Sequence, residues 1–380
     1  MKILLVGVSV RAMAESAVSG GYRVAALDAF GDSDLRALAE SYALGRDFGA
    51  AYSPGNLYRA GRGLRFDAVA YTSNLENHPR VLARFGRSHR IVGNAPGVVA
   101  SVRDWGDLFD RLGRAGFRAP RTLFAQGRPP AGTGRRWLWK PLRGGGGHGI
   151  VEYDPGGGRP PGCMLQEFIP GTPCSATFVA NGRESRVLGI TQQLAGLGAF
   201  GAAGFRYCGN ILPAPEAADP AGGPKLLGEV RRLADFLTGE FGLSGVNGID
   251  FVSGGGCVYL TEVNPRYSAS MELVEAAYGL PVFDMHARSA LYGELPGFDL
   301  GAELGRGRFY GKAILYAARD AVAPATGAWR GRGIRDVPHP GERIPGGSPV
   351  CTILADGPAP GDALAGMLRR AEAVKEEMYG

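Results

Sequence analysis

The sequence predicts a protein of mixed α/β and α+β class: an N-terminal α/β domain, a largely antiparallel core and a small C-terminal β-rich module. Three observations carry that expectation. The chain opens on a continuous apolar run, Lys2-Ile-Leu-Leu-Val-Gly7, followed by a helical stretch and a second run ending in Asp28, which is the order of a parallel βαβ unit. Its middle part alternates short β-rich runs with glycine clusters, the pattern of hairpins. Beyond residue 300, short β elements are separated by tight Pro/Gly turns before a terminal helix. The expected domains are residues 1–95, 96–300 and 301–380.

At 380 residues the chain exceeds one typical core and accommodates two or three domains. Its 45% hydrophobic and 21% charged content is ordinary for a soluble globular protein. No apolar run approaches the roughly 20 residues that span a bilayer. The start Met1-Lys-Ile-Leu-Leu-Val-Gly7 turns polar too soon for a signal peptide. Five cysteines (Cys163, Cys174, Cys208, Cys257, Cys351) form no CxxC pair and are odd in number. Reduced thiols in a cytoplasmic protein are the simplest account. A net charge of +6 raises nucleic acid as a partner, but the basic residues are scattered and form no patch-like run, which excludes it. Only five of the 42 basic residues are lysines (Lys2, Lys140, Lys225, Lys312, Lys375), so a lysine inside a motif carries more weight here.

In the N-terminal domain, Val8 to Gly20 reads as a helix and Tyr22-Arg-Val-Ala-Ala-Leu-Asp28 as the second strand. The loop Gly7-Val-Ser9-Val-Arg11 keeps only the first glycine of a G-x-G-x-x-G fingerprint, although Asp28 lies near the ribose-contact spacing. A nicotinamide-dependent oxidoreductase therefore stands as a rival reading. Phe66-Asp-Ala-Val-Ala-Tyr71 and Arg90-Ile-Val-Gly-Asn94 continue the sheet. Ligands of open parallel sheets bind beyond the carboxyl ends of strands, where Ser9, Arg11, Glu76, Asn77 and Asn94 fall.

The core is organised around Gly245-Val-Asn-Gly-Ile-Asp-Phe-Val252, Ser253-Gly-Gly-Gly256 and Cys257-Val-Tyr-Leu-Thr-Glu-Val-Asn-Pro-Arg266, a hairpin by its glycine cluster. Glu262 and Asn264, two apart, share a strand face. Asp250 joins them only through an odd-length loop or a bulge, because a one-residue slip sends it to the other side. In the right register, two carboxylates and an amide converge beside Arg266. Such oxygen ligands suit Mg²⁺, which takes one or two carboxylates and leaves other positions to phosphates, and an arginine completes a phosphate clamp. The plain alternative is an exposed acidic edge strand.

Upstream, Pro96 to Gly116 reads as one helix. Trp137-Leu-Trp-Lys140-Pro141 is a strand ending in a rare lysine, followed by Arg143-Gly-Gly-Gly-Gly-His148-Gly-Ile150. Four glycines, Gly144, Gly145, Gly146 and Gly147, let backbone N–H groups approach an anion without Cβ interference, although polyglycine alone also reads as a linker. The order is not that of a Walker loop, since the lysine comes first. Val151 to Asp154 and Met164 to Ile169 are further strands, and Thr177 to Ala180 and Ser185 to Thr191 form a hairpin around Asn181-Gly182. Lys225 to Gly242 is an amphipathic helix, with Leu226, Val230, Leu233, Phe236 and Leu237 at helical spacing. Met271 to Tyr278 and Pro281 to Tyr292 are helical, and His286 is read as packing. In the closing module Arg308 to Tyr316 is a strand, and Asp362 to Met378 the terminal helix.

Asp250 followed by Glu262-Val-Asn264-Pro-Arg266, together with Lys140 ahead of the glycine loop, resembles the ATP-grasp superfamily. The combination G-x-S-x-R-A-x-A-E-S-A with Glu76-Asn77-His78-Pro79 is most similar to a predicted group of ATP-dependent carboligases related to biotin carboxylase. The resemblance implies an ATP-grasp fold with a Rossmann-like pre-ATP-grasp domain, a lid at about 122–170 and a small C-terminal β-rich module. It implies ATP and Mg²⁺ (or Mn²⁺) as cofactors, with Asp250, Glu262 and Asn264 as metal ligands. Lys140, the Gly144–Gly147 run and His148 would face phosphates, and Gln166, Glu167, Phe168 and Ile169 would form the adenine hinge. Lys140 and Arg266 would be the catalytic cations. Arg103 would substitute for a lysine that many relatives carry near this point. Ser9, Arg11, Glu76, Asn77, Tyr207 and Asn210 would line the substrate side. The implied activity is carboxylate–amine ligation or carboligation through an acyl phosphate, with one-carbon pterin or furan cofactor synthesis as one setting. The expected partners are small-molecule carboxylates and nucleophiles, with no nucleic acid or membrane and with a homodimer as one open assembly. A non-catalytic ATP-binding regulator is the second rival.

Overall fold

The computed structural model describes residues 1–124, 129 and 134–380. Five parallel strands, β1 (Lys2–Val6), β2 (Arg23–Asp28), β3 (Glu40–Ala43), β4 (Ala68–Tyr71) and β5 (Arg90–Val92), form one sheet in the order β3-β2-β1-β4-β5. Ile3, Leu4, Leu5 and Val6 are fully buried, as a strand covered by helices on both faces requires. The order reverses between β1 and β4, so the loops that follow these two strands meet at the carboxyl edge, where the Val8 N–H donates to the Ser73 carbonyl (2.5 Å). A Cβ on Gly7 would overlap Thr72 there.

A second, antiparallel sheet comprises β6 (Thr122–Leu123), β7 (Trp137–Pro141), β8 (Val151–Glu152) and β9 (Cys163–Glu167), in the order β6-β9-β7-β8. Trp137, Trp139, Cys163 and Leu165 form its small core. The lid expected at about 122–170 corresponds to this region, and its residues 125–128 and 130–133 lie outside the described residues.

The main sheet has eight strands. It contains β10 (Thr172–Asn181), β11 (Ser185–Ala195), β12 (Tyr207–Leu212), β13 (Ser244–Gly254), β14 (Cys257–Asn264) and β15 (Phe309–Tyr316). A minor pair, β16 (Ala321–Val322) with β18 (Arg343–Ile344), lies outside it, whereas β17 (Ile334–Arg335) and β19 (Pro349–Gly357) join it. The order β14-β13-β10-β11-β12-β15-β19-β17 means that the C-terminal strands extend the core sheet rather than build one of their own. Helix Gly223–Phe241 lays Leu226, Val230, Leu233 and Leu237 on this sheet, and Phe236 packs on Phe117 with ring centroids 5.0 Å apart. Burying a leucine of this kind stabilises by about 1.5–3 kcal/mol. Among the described residues no helix is long and apolar enough to cross a membrane.

Two sequence expectations are corrected. The single helix expected from Pro96 to Gly116 is two helices, Pro96–Val102 and Trp105–Arg114, broken at Arg103-Asp104. Asp104 caps the second, its carboxylate accepting from the Asp107 N–H at 3.2 Å, and such a cap needs non-helical backbone at the capping residue. His286 does more than pack. Its Nδ1 accepts from the Val246 N–H (2.9 Å), so its Nε2 donates to the Val92 carbonyl (3.0 Å). It ties the parallel sheet to β13, and Gly245, at φ +70°, has no room for a Cβ beside the imidazole.

Arg11 is also placed differently from a substrate contact. It is 1% exposed, and its guanidinium pairs with Asp336 (3.0 and 3.1 Å), with Glu15 (3.1 Å) and closely with Glu272. Glu272 is held from its other oxygen by Lys312 Nζ at 2.5 Å. The acids hold the guanidinium above its ordinary pKa although burial works against its charge. Arg11 is thus a strut joining the N-terminal sheet's first helix to the core and to the C-terminal strands.

Candidate active site

The hairpin β13–β14 turns on two residues, Gly255 and Gly256, both at positive φ (57° and 71°), the requirement of a type I′ turn. An unbroken ladder from that turn would set Asp250 opposite Thr261. Instead the register shifts after Phe251↔Leu260, so that Asp250 pairs with Glu262 and Gly248 with Asn264. Thr261 is the extra residue of a β-bulge. Its hydroxyl donates to the Asp250 carbonyl at 3.0 Å, and its own carbonyl accepts from Lys140 Nζ at 2.9 Å. The bulge therefore aligns the two carboxylates and anchors the lysine of β7.

Glu262 lies between cations. Its Oε1 accepts from Arg103 Nη1 at 2.7 Å, and its Oε2 is 3.7 Å from Lys140 Nζ. Burial favours the protonated acid, but Arg103 and then Lys140 outweigh it and hold Glu262 below the usual carboxylate range. The Lys140 ammonium, itself lowered by burial, and the Arg103 guanidinium both sit over the Trp105 ring, at 5.1 and 4.7 Å. Arg103 occupies this place because the helix ends at Val102.

Asp250 differs. Its oxygens accept from Gln193 Nε2 (2.8 Å) and Asn264 Nδ2 (3.0 Å), and among the described residues no basic side chain lies within 4.0 Å of it. Burial, with Glu262 opposite, pushes its pKa up to about 6. A largely buried carboxylate with neutral donors only, beside a second carboxylate and an amide, is a set of hard oxygen donors of the kind that fits a magnesium ion. Among the described residues no group of three or more His, Cys, Asp or Glu that could hold a metal occurs; the set here is two carboxylates and an amide.

Arg266, just past β14, donates to Asn264 Oδ1 (3.0 Å) and to the Tyr267 carbonyl (3.1 Å), and its Nε lies 2.8 Å from Glu76 Oε1. Burial opposes its charge, yet Glu76, then Glu262 and Asp250, hold its pKa above the ordinary value. Glu76, from the loop after β4, is 1% exposed, and its Oε2 has no partner. Asn77 beside it accepts from Arg103 Nη2 at 2.6 Å and donates to the Gly144 carbonyl at 3.3 Å.

The glycine loop is held by its carbonyls. Leu142 O accepts from Trp105 Nε1 (3.0 Å), Gly144 O from Asn77, and Gly146 O from the Tyr207 N–H (2.9 Å). The N–H groups of residues 144–147 find no protein acceptor among the described residues. Gly146 and Gly147 have φ of 60° and 71°, and a Cβ on Gly147 would overlap the Phe205 carbonyl. Such a row of free N–H groups is an anion cradle. His148, at the exposed end of the loop, is held below its usual pKa by partial desolvation and by the nearby Arg206.

At the hinge, Gln166 turns into the small sheet, donating to Thr122 Oγ1 at 3.1 Å. Glu167 pairs with Arg135 at 2.9 Å, and Phe168 lies under the Arg136 guanidinium at 4.2 Å. The N–H groups of Glu167 and Phe168 are already bonded to the Arg121 and Arg136 carbonyls, which narrows the backbone donors open to a base to Ile169. On the opposite flank, the Tyr207 hydroxyl donates to Asn210 Oδ1, Asn210 Nδ2 to Thr191 Oγ1 (2.8 Å), and Thr191 bonds Ser175 (2.7 Å), which pairs with Asp250 across β10 and β13. Ser9 stays at the carboxyl end of β1 with no hydrogen bond to this cluster among the described residues. From the sequence, Gln192-Gln193 resembles part of the acceptor-site lining, with no indication that Gln193 meets Asp250; Trp105 carries no motif and was passed over.

Residues 103–270 match the ATP-grasp domain family. No curated protein matches the chain. Biotin carboxylase from Campylobacter jejuni, solved as its β-γ-ATP complex, is 14% identical with a TM-score of 0.72 over 99% of this chain and 91% of that one. N5-carboxyaminoimidazole ribonucleotide synthetase from Thermotoga maritima is 15% identical with a TM-score of 0.67 over 98% of both chains. L-amino acid ligase from Bacillus licheniformis is 15% identical with a TM-score of 0.66 over 100% of this chain and 98% of that one. At these identities the likeness is one of fold. The chain has an ATP-grasp fold like that of biotin carboxylase, and its residues 103–270 match the ATP-grasp domain model.

Proposed function

We propose that this protein is an ATP- and Mg²⁺-dependent ligase that activates a substrate carboxylate for capture by an amine. A carboxylate oxygen attacks the γ-phosphorus, the bond to the β-γ bridging oxygen breaks, and ADP leaves with an acyl phosphate formed. The amine nitrogen then adds to the acyl carbon, phosphate departs with the electron pair of the C–O bond, and a proton is lost from nitrogen. The observation that carries this reading is the bulge at Thr261, which sets Asp250 opposite Glu262 and brings Lys140 onto the same spot. The similar structures are named as a biotin carboxylase, a carboxyaminoimidazole ribonucleotide synthetase and an L-amino acid ligase, which supports a ligase-type reading.

Asp250, Glu262 and Asn264 would hold the metal, which when bound supplies charge neutralisation of the β- and γ-phosphates. The remaining work falls to the chain itself, as positioning and fixed charge. The N–H groups of 144–147 cradle phosphate oxygens while their carbonyls are held back. Lys140 and Arg103 supply positive charge from the floor, and Arg266 from the acceptor side. No nucleophilic side chain is needed. The domains expected at 1–95, 96–300 and 301–380 serve as substrate-side wall, nucleotide core and closing module, and Tyr207 and Asn210 edge the acceptor. Titration calorimetry with ATP and with NAD(H), each with and without Mg²⁺, tests the nucleotide. Binding of NAD(H) in preference to Mg-ATP would overturn the proposal. ADP release stimulated by a carboxylate–amine pair identifies the substrates, and ATP binding with no pair stimulating release would favour a regulator.

A further inference from the structure

Asn77 stands at the carboxyl end of the parallel sheet, where a ligand contact is the general expectation, yet both ends of its amide are engaged within the protein. Its Oδ1 accepts from Arg103 Nη2 at 2.6 Å and its Nδ2 donates to the Gly144 carbonyl at 3.3 Å. An arginine only donates and a carbonyl only accepts, so the amide has one orientation. Asn77 is 6% exposed, and the other nitrogen of Arg103's fork holds Glu262 at 2.7 Å. A continuous path therefore runs from a carboxylate of the site, through Arg103 and Asn77, to the backbone of the glycine loop. We propose that Asn77 is a latch by which the N-terminal domain holds the glycine loop and links its position to Glu262.

Of the two other donors that hold the loop, Trp105 Nε1 grips Leu142 before the glycines begin, and the Tyr207 N–H grips Gly146 by backbone alone. Among the described residues, only the Asn77 contact joins the glycines themselves to the charged cluster through a chain of side-chain hydrogen bonds. A loop with four glycines has the most conformational freedom to lose on closing, so a contact that fixes it beforehand lowers the ordering cost of binding phosphate. The link to Glu262 gives the latch a direction. Whatever draws Glu262 away from Arg103 alters the arginine's hold on Asn77, and through it the loop. This places Asn77 as a positioning residue rather than a substrate contact, and it rests on the nucleotide reading only in what the loop is held for.

Two substitutions separate the two ends. Asn77→Asp keeps an acceptor for Arg103 and removes the donor to Gly144, whereas Asn77→Leu, close in volume, removes both. Hydrogen exchange is measured without nucleotide at the His148 N–H, the one amide of 143–149 with a protein acceptor among the described residues (the Gly145 carbonyl, 3.3 Å), alongside melting curves that check the fold. Both variants should exchange about three- to tenfold faster than wild type there, the worth of one net hydrogen bond, and should bind Mg-ATP more weakly by a similar factor. Exchange at the wild-type rate in Asn77→Asp would overturn the latch, as would loosening confined to Asn77→Leu, which would mean that Asn77 serves Arg103 alone. If either variant fails to fold, the other decides by the same comparison with wild type; if both fail, exchange in Arg103→Lys decides, since a loop no faster than wild type would break the path. A wild-type loop whose exchange ignores Mg-ATP would instead defeat the nucleotide reading and leave the latch standing.

Discussion

Replacing Arg266 tests the site most stringently, because the proposed function adds a second duty to the one the structure shows. It faces Asn264 at 3.0 Å, beside the carboxylate pair, and it neutralises Glu76 at 2.8 Å. Glu76 is 1% exposed, and its second oxygen has no other partner. Arg266→Met therefore strands a buried carboxylate, which costs about 3–5 kcal/mol when one member of a buried pair is removed. The catalytic duty is separate. If Arg266 meets charge that develops only in the transition state, its loss lowers kcat and kcat/KM together, by on the order of 10²-fold. Glu76→Gln in the same background removes the stranded charge and should return most of the stability while leaving kcat low. Arg266→Lys keeps a charge for Glu76 but loses the planar fork, so it should be stable and still slow. The assay pairs urea unfolding with steady-state kinetics on the single and double variants. Recovery of wild-type kcat in the Arg266→Met/Glu76→Gln double variant would refute the catalytic role and leave Arg266 only as a partner of Glu76.

Three further outcomes are expected. Glu262→Gln should abolish metal-dependent turnover with the fold retained, and ATP turnover at the wild-type rate would end the metal assignment. Lys140→Met removes a charge present with or without reaction, so KM for ATP should rise more than kcat falls; a fall confined to kcat, seen by the same kinetics, would reverse the roles assigned to Lys140 and Arg266. His286 should give the fold an acid limit. Burial holds its pKa at about 4 against the ordinary 6.5. The folded state thus binds a proton less readily than the unfolded one, and the stability involved is present above about pH 6.5 and lost as pH falls through about 4. The full loss is about 3 kcal/mol, read as the difference between unfolding curves at pH 7 and pH 4. A His286→Gln variant whose pH profile parallels wild type would show that the limit lies elsewhere.

What could be read from the sequence was what is local. The apolar run of β1, the glycine cluster that turns the β13–β14 hairpin and the order of Lys140 before its glycines are each set by neighbours in the chain. The register of β14 was not, because a two-residue turn alone sends Asp250 to Thr261. The bulge that corrects it is tied down by Lys140 Nζ on the Thr261 carbonyl, a contact across 121 residues. The break at Arg103 was within reach, since Asp104 with Asp107 after it is a capping signal; the apolar spacing on either side masked it. Arg11 was out of reach. Its loop position invites a ligand, and what it meets instead is Asp336, 325 residues away.

The charges of the site explain why these distant contacts matter. Three cations, Arg103, Lys140 and Arg266, and three acids, Asp250, Glu262 and Glu76, lie together in a largely buried cluster, Glu76 the deepest. The cations cannot be kept buried and ready for phosphate without counter-ions, because an unpaired buried charge is strongly disfavoured. Glu262 and Glu76 provide that pairing, while Asp250 is left with amide donors alone. The cluster is thus neutral before any ligand arrives. A divalent cation alone would give it a net charge of two, and a polyphosphate alone a larger one of opposite sign, in a place where neither is well screened. On the proposed function, the arrangement would therefore favour joint entry of metal and nucleotide over either alone. That preference follows from the bulge at Thr261 and the helix break at Arg103, which bring Lys140 and Arg103 onto Glu262.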